Sequence, residues 1–122
     1  MKKPFVSAGR STGLNVRGCK KTPMSANHLI VIAEMAAKAG QEDELRTHLL
    51  ALVEPTRKEE GCLRYDLHLC ATESGRFIFL ETWTSREALD RHMQTAHFQA
   101  FAAGTKELLA GPPRILMCNQ IA

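Results

Sequence analysis

Apolar and polar positions change period several times along the chain, and each change marks an element. Leu29-Ile-Val-Ile-Ala-Glu-Met-Ala36 is a short, β-branched run between Asn27 and Gly40, the pattern of a strand buried on both faces. From Gln41 the period lengthens. Leu45, Leu49, Leu52, Val53 and Thr56 recur at three- and four-residue steps, and Glu42, Asp43 and Glu44 occupy the first turn, where the helix dipole favours negative charge. This helix is expected to run to about Glu60 and stop at Gly61, with Pro55 bending it or loosening its middle turn. Cys62 to Cys70 then alternates, with Leu63, Tyr65, Leu67 and Leu69 on one face and Arg64, Asp66 and His68 on the other, as a half-buried strand does. Thr72-Glu-Ser-Gly75 supplies turn residues, and Arg76 to Thr84 completes a hairpin. Ser85 is placed to cap a short helix containing Ala88, Leu89 and Met93. Thr95 is placed to cap a second, carrying Phe98, Phe101, Leu108 and Leu109 to near Gly111. After Pro112-Pro113, Arg114 to Ile121 reads as a last strand.

The order β-α-β-β-α-β predicts an α+β, ferredoxin-like domain: an antiparallel sheet with helices on one face. Phe77, Ile78, Phe79 and Leu80 are apolar on both sides of their strand, whereas the helices cover only one. The uncovered side is expected to pack against a second copy, giving a homodimer through the sheet face.

Composition adds the domain limits. With 122 residues, 44% of them hydrophobic, the chain suffices for one compact domain. The formal charge of +3 is unevenly placed: Lys2, Lys3, Arg10, Arg17, Lys20 and Lys21 lie in residues 1–23 without an acid. Sixteen basic residues less those six leaves ten against all thirteen acids, a net of −3 over 24–122. That balance argues against a nucleic-acid surface. Residues 1–23 have no hydrophobic period and read as a basic extension ahead of a single domain at 24–122; a transit peptide fits them only loosely. No run is apolar enough to span a membrane. Four cysteines without a CxxC pair, in a chain without a secretory signal, point to reduced thiols and a cytoplasmic protein.

Candidate chemistry sits at the end of the hairpin. Phe77, Phe79, Glu81 and Trp83 share one strand face, which puts a carboxylate in an aromatic wall that must pair it, protonate it or wet it. One reading is a salt bridge from Glu81 to an arginine, with Trp83 filling core; the other is a reaction site. His92 and His97 follow closely. On one continuous helix they would diverge by about 140°, so no metal site is expected. If a new helix starts at Thr95, His97 enters its first turn near the end of the Trp83 strand and becomes the candidate general base. His92, equally placed to cap the short helix, is the weaker candidate. Met35, Phe98 and Phe101 read as core or pocket wall. The absence of GxGxxG and P-loop motifs leaves nucleotide cofactors without support.

Taken together, LIVIAEM, AGQEDEL, KEEGCLRYDLH and FIFLETWTSREALDRHMQTAHFQAF resemble the antibiotic-biosynthesis-monooxygenase domain family, including its quinol-monooxygenase-like members. The resemblance covers about residues 28 to 121, and its most specific parts are Glu60-Gly61-Cys62 with Tyr65, the Glu81/Trp83 pair, and His92 through His97-Phe98. It implies a dimeric α+β barrel with a pocket between sheet and helices. The implied activity is a cofactor-independent monooxygenase acting with O2 on a quinol or other electron-rich aromatic. His97, Glu81 and His92 would carry the chemistry, and Trp83, Tyr65, Met35, Phe79, Phe98 and Phe101 would hold the substrate. The haem-degrading branch of the family carries an asparagine and a histidine where this chain has Met35 and Ala102, so haem is set aside. Two alternatives share the fold. One is an autoinducer-type phospho-sugar isomerase or degrading enzyme, anchored through Arg64, Arg76 or Arg114; the other is a non-catalytic dimeric ligand-binding module.

Overall fold

A computed structural model describes residues 28–122; the basic segment expected as an extension lies outside the described residues. The elements are β1 (Leu29–Ala36), α1 (Glu42–Arg57), β2 (Cys62–Leu69), β3 (Arg76–Trp83), α2 (Arg86–Met93), α3 (Ala96–Thr105) and β4 (Arg114–Cys118). The four strands form one antiparallel sheet in the order β2-β3-β1-β4. This is the expected α+β, ferredoxin-like arrangement.

Register decides which residues face the helices. Glu81 stands opposite Val31 on one side and Tyr65 on the other, and Phe79 opposite Ala33 and Leu67. These residues share one face because side chains directly opposite in a ladder project the same way. Leu45, Leu49 and Leu52 of α1 and Ala88 and Leu89 of α2 close over that face, and Trp83 beneath them has no exposed surface. The opposite face carries Ile30, Ile32, Ile78 and Leu80, each only half-buried, and Leu116, which is exposed. β1 is thus buried on one face, not both, because all three helices lie on the same side.

Other boundaries move for local reasons. α1 ends at Arg57, so Pro55 falls in its last turn, where little of the hydrogen-bond ladder remains to be lost. Lys58 to Gly61 forms a turn in which Glu59 N–H donates to Thr56 O at 3.0 Å and Cys62 N–H to Glu59 O at 3.2 Å. On β2 only Tyr65 of the four inward candidates is buried; Leu63 and Leu69 are half exposed, because β2 is an edge strand and a bulge shifts it between Cys62 and Arg64. α3 stops at Thr105, and Leu109 instead bridges to Ala37. β4 ends at Cys118, short of Ile121. The thiols of Cys62, Cys70 and Cys118 are free.

Two caps shape the corner between α2 and α3. Ser85 Oγ accepts from Ala88 N–H at 3.1 Å. Thr95 both accepts from Phe98 N–H at 3.2 Å and donates to His92 O at 2.7 Å, so one hydroxyl ends α2 and starts α3.

Gly61 couples the α1–β2 turn to α2. Its φ is +92°, and an added Cβ would lie 2.6 Å from Ala88 Cβ and 2.9 Å from Thr84 Oγ1, so both backbone conformation and space demand glycine. Gly61→Ala is expected to lower the melting temperature by at least about 5 °C, the shift that a 1 kcal/mol loss produces in a domain of this size. A thermal melt unchanged within 1–2 °C (roughly 0.3 kcal/mol on the same scale) would contradict that coupling.

Candidate functional site

The helix-covered face does not close completely. Between sheet and helices lies a cavity of about 270 Å³, walled from the sheet by residues including Val31, Met35, Phe79 and Met117, and from the helices by Leu52, Leu89, Phe98 and Phe101. Among the described residues, Tyr65, Glu81 and His92 supply its polar side chains and no lysine or arginine lines it. An adjoining hollow shares Met35, Phe98 and Phe101 with the cavity and is bordered by Lys106.

Each polar group is held by aromatic neighbours. Tyr65 stacks on Phe79 with ring centroids 4.4 Å apart, and His92 lies between Trp83 at 4.8 Å and Phe98 at 4.9 Å. Glu81 accepts a hydrogen bond from Trp83 Nε1–H at 2.8 Å. That settles the carboxylate's partner: the neighbouring indole, two residues along the same strand face, takes the place of the arginine that one sequence reading supplied. Trp83 itself does not line the cavity; it supports the wall from behind.

Burial drives the ionisation of these groups. Removal from water pushes the Glu81 carboxyl up to about 7, against the lowering effect of the Trp83 hydrogen bond and with a small further push from the Glu59 charge. The same desolvation pushes His92 down, opposed by its hydrogen bond to Glu59. Burial, and then the Glu81 charge, raises the Tyr65 phenol far above its ordinary value. A half-protonated acid and a neutral base therefore coexist in one cavity near pH 7, the arrangement suited to moving a proton to and from a bound molecule.

The two histidines meet at a residue that the sequence reading passed over. Glu59 Oε2 lies 2.7 Å from His92 Nδ1 and 2.5 Å from His97 Nε2. The corner at Thr95 makes this possible: it places the last turn of α2 beside the first turn of α3 and brings the imidazole centroids to 6.2 Å. His92 is buried and lines the cavity. His97, the expected base, does not line it; its side chain keeps 28% of its exposure and reaches Glu59 from the opposite side, in a groove beside His48 and Phe101. The signal for Glu59 lay in the sequence, directly before the Glu60-Gly61-Cys62 motif, but no periodicity marks a turn residue.

Glu59, His92 and His97 bring their ligand atoms within 4.8 Å of one another, a donor set able to hold a divalent cation. Donors sharing an ion at about 2.1 Å stand roughly 3 Å or more apart. The 2.5 and 2.7 Å separations are shorter and are those of charge-assisted hydrogen bonds.

Comparison with known proteins agrees with the fold. The antibiotic biosynthesis monooxygenase family profile matches residues 28–104. Over 84 residues the chain is 37% identical to Putative monooxygenase YcnE of Bacillus subtilis, a match covering 69% of this chain and 88% of that protein. It is 34% identical over 87 residues to an uncharacterized protein of Synechocystis, sll1783, covering 71% of this chain but only 59% of that relative's length. The crystal structure of PA3566 from Pseudomonas aeruginosa superposes with a TM-score of 0.76 at 39% identity, over 83% of this chain and 100% of that one. The matched span runs from β1 through α3 and includes Glu59, Tyr65, Glu81, His92 and His97; the chain belongs to the antibiotic biosynthesis monooxygenase family.

Proposed function

We propose that this chain is a monooxygenase that oxidises a quinol or similar electron-rich aromatic with O2, its substrate serving as the reductant. The observation that carries the reading is the lining of the cavity: aromatic and aliphatic throughout, with one neutral base, one near-neutral acid and a phenol as its polar side chains. A flat apolar ring with two hydroxyls matches both the walls and the polar groups. Arg64, Arg76 and Arg114, the anchors a phospho-sugar would need, do not line the cavity; Arg64 is paired with Asp66, and Arg76 with Glu73 and Glu34. The phospho-sugar reading therefore loses its support.

In the proposed reaction His92 takes a proton from a ring hydroxyl. The resulting anion gives one electron to O2, and the semiquinone and superoxide recombine at a ring carbon. The O–O bond then breaks as the same ring carbon gives up its hydrogen: the outer oxygen leaves as water with the proton held by His92 and one from Glu81, the ring C–H proton restores Glu81, and the ring keeps the other oxygen as a carbonyl. Overall, quinol plus O2 gives hydroxyquinone plus water. The protein's part is to supply the base and acid, orientation and a dry slot. The homodimer belongs to the same proposal: Ile30, Ile32, Ile78, Leu80 and Leu116 make an apolar sheet face that a second copy would cover.

With purified protein, a reduced naphthoquinol and no added cofactor, oxygen uptake should exceed the buffer blank and fall by about a hundredfold in His92→Ala, the usual size of a general-base contribution. Uptake equal to the blank across quinols and anthrones would leave a ligand-binding module in place of an oxygenase. Sedimentation should give a dimer at micromolar concentration and a monomer for Leu80→Asp; a wild-type monomer refutes the covered face.

The Glu81 proton makes its own prediction. Between the ordinary carboxyl value of 4.5 and about 7 the folded protein holds a proton that the unfolded chain has released, so stability falls as pH rises through that window and levels off above it. Glu81→Gln keeps an acceptor for Trp83 and removes the titration. Its stability relative to wild type should rise from pH 4.5 to pH 7 by on the order of 3 kcal/mol, read from paired denaturant curves. Parallel pH profiles for the two proteins would show that the carboxyl titrates normally.

A further inference from the structure

His92 lines the cavity, while its Nδ1 is bonded to Glu59 Oε2, which does not. An ionised carboxylate oxygen only accepts hydrogen bonds, so the proton of a neutral His92 belongs on Nδ1 and the lone pair on Nε2. We propose that Glu59 is the positioning residue of this site: it holds His92 as the Nδ1–H tautomer with Nε2 free as the base, and His97 clamps the same carboxylate oxygen from the solvent side. The proposal rests on the reading above in one respect, that His92 is the base which takes the substrate proton.

Three features of the fold serve this arrangement. Glu59 sits on a turn, where its side chain would otherwise rotate freely, and ordering such a side chain costs entropy. Two hydrogen bonds to one oxygen, from α2 and from α3, hold it in place. The turn itself is fixed by Gly61, whose carbonyl accepts from Thr84 N–H at 2.9 Å at the end of β3. When substrate gives its O–H proton to Nε2, the imidazolium forms against a carboxylate already in contact, with only 12% of the Glu59 side chain exposed to solvent. Glu81 and Tyr65, the other titratable groups facing His92 across the cavity, come from β3 and β2 and do not contact Glu59 Oε2.

Long-range ¹⁵N–¹H NMR on the full-length, ¹⁵N-labelled protein at neutral pH tests this, with His92 assigned against His92→Gln. The expected result is a protonated Nδ1 and an unprotonated Nε2 in wild type, a shift to the Nε2–H form in Glu59→Ala, and retention of Nδ1–H in Glu59→Asp. With naphthoquinol as probe, kcat should drop about a hundredfold in Glu59→Ala with KM changed only a few-fold, recover in part in Glu59→Asp, and drop less in His97→Ala. An Nε2–H tautomer in wild type overturns the proposal, and so does an unchanged tautomer in Glu59→Ala. Stoichiometric divalent metal in the purified protein, lost in Glu59→Ala, overturns it as well and makes the cluster a metal site. The wild-type tautomer is read without Glu59→Ala having to fold and without turnover. The expected tautomer in a protein that consumes no oxygen would leave the positioning role standing and remove the oxygenase reading alone.

Discussion

A four-stranded sheet with all its helices on one side has a single face that those helices can bury, and in this chain that face must hold both the hydrophobic core and the polar groups of the cavity. Val31, Ala33 and Met35 from β1, and Phe77, Phe79, Glu81 and Trp83 from β3, are fixed to it by register. Glu81 is therefore surrounded by apolar atoms whatever the helices do. The indole N–H two residues away satisfies one carboxylate oxygen, and desolvation raises the group's proton affinity until it is half neutral at physiological pH. The polar chemistry of the site follows from the same one-sidedness that makes the core.

The helices respond to that constraint by breaking. A single helix from Arg86 to Thr105 would carry His92 and His97 on divergent faces, but the hydroxyl of Thr95 closes one helix and opens the next. The corner turns both imidazoles toward the α1–β2 turn. There Gly61, in a conformation and a space that only glycine tolerates, holds Glu59 at the meeting point. The histidine cluster thus depends on two short connections rather than on any one regular element.

Most elements are legible in the sequence because their signals are local. The first strand is bounded at Leu29 and Ala36 in sequence and structure alike, the Ser85 and Thr95 caps act where their hydroxyls predict, and Phe79, Glu81, Tyr65, Met35, Phe98 and Phe101 do line one cavity. Less legible are the ends of α1, α3 and β4, where packing overrides the apolar periodicity. Leu63 and Leu69 read as inward residues from alternation alone, yet alternation cannot tell an edge strand from a central one.

The order of elements, the face of β3 that carries a carboxylate and the helix break were determined by the sequence alone, since each rests on neighbours within a few positions, and so was the family resemblance, through motifs spread along the chain. Which histidine lines the cavity was not. His92 and His97 differ little in local context, and their roles are separated by Glu59, 33 and 38 positions away along the chain. Trp83 likewise reads as a cavity residue from alternation but lies behind the wall, because helices α1 and α2 close over it. Contacts between distant segments are set by how layers pack and where turns point. Side-chain periodicity carries no information about either, so only the tertiary structure decided them.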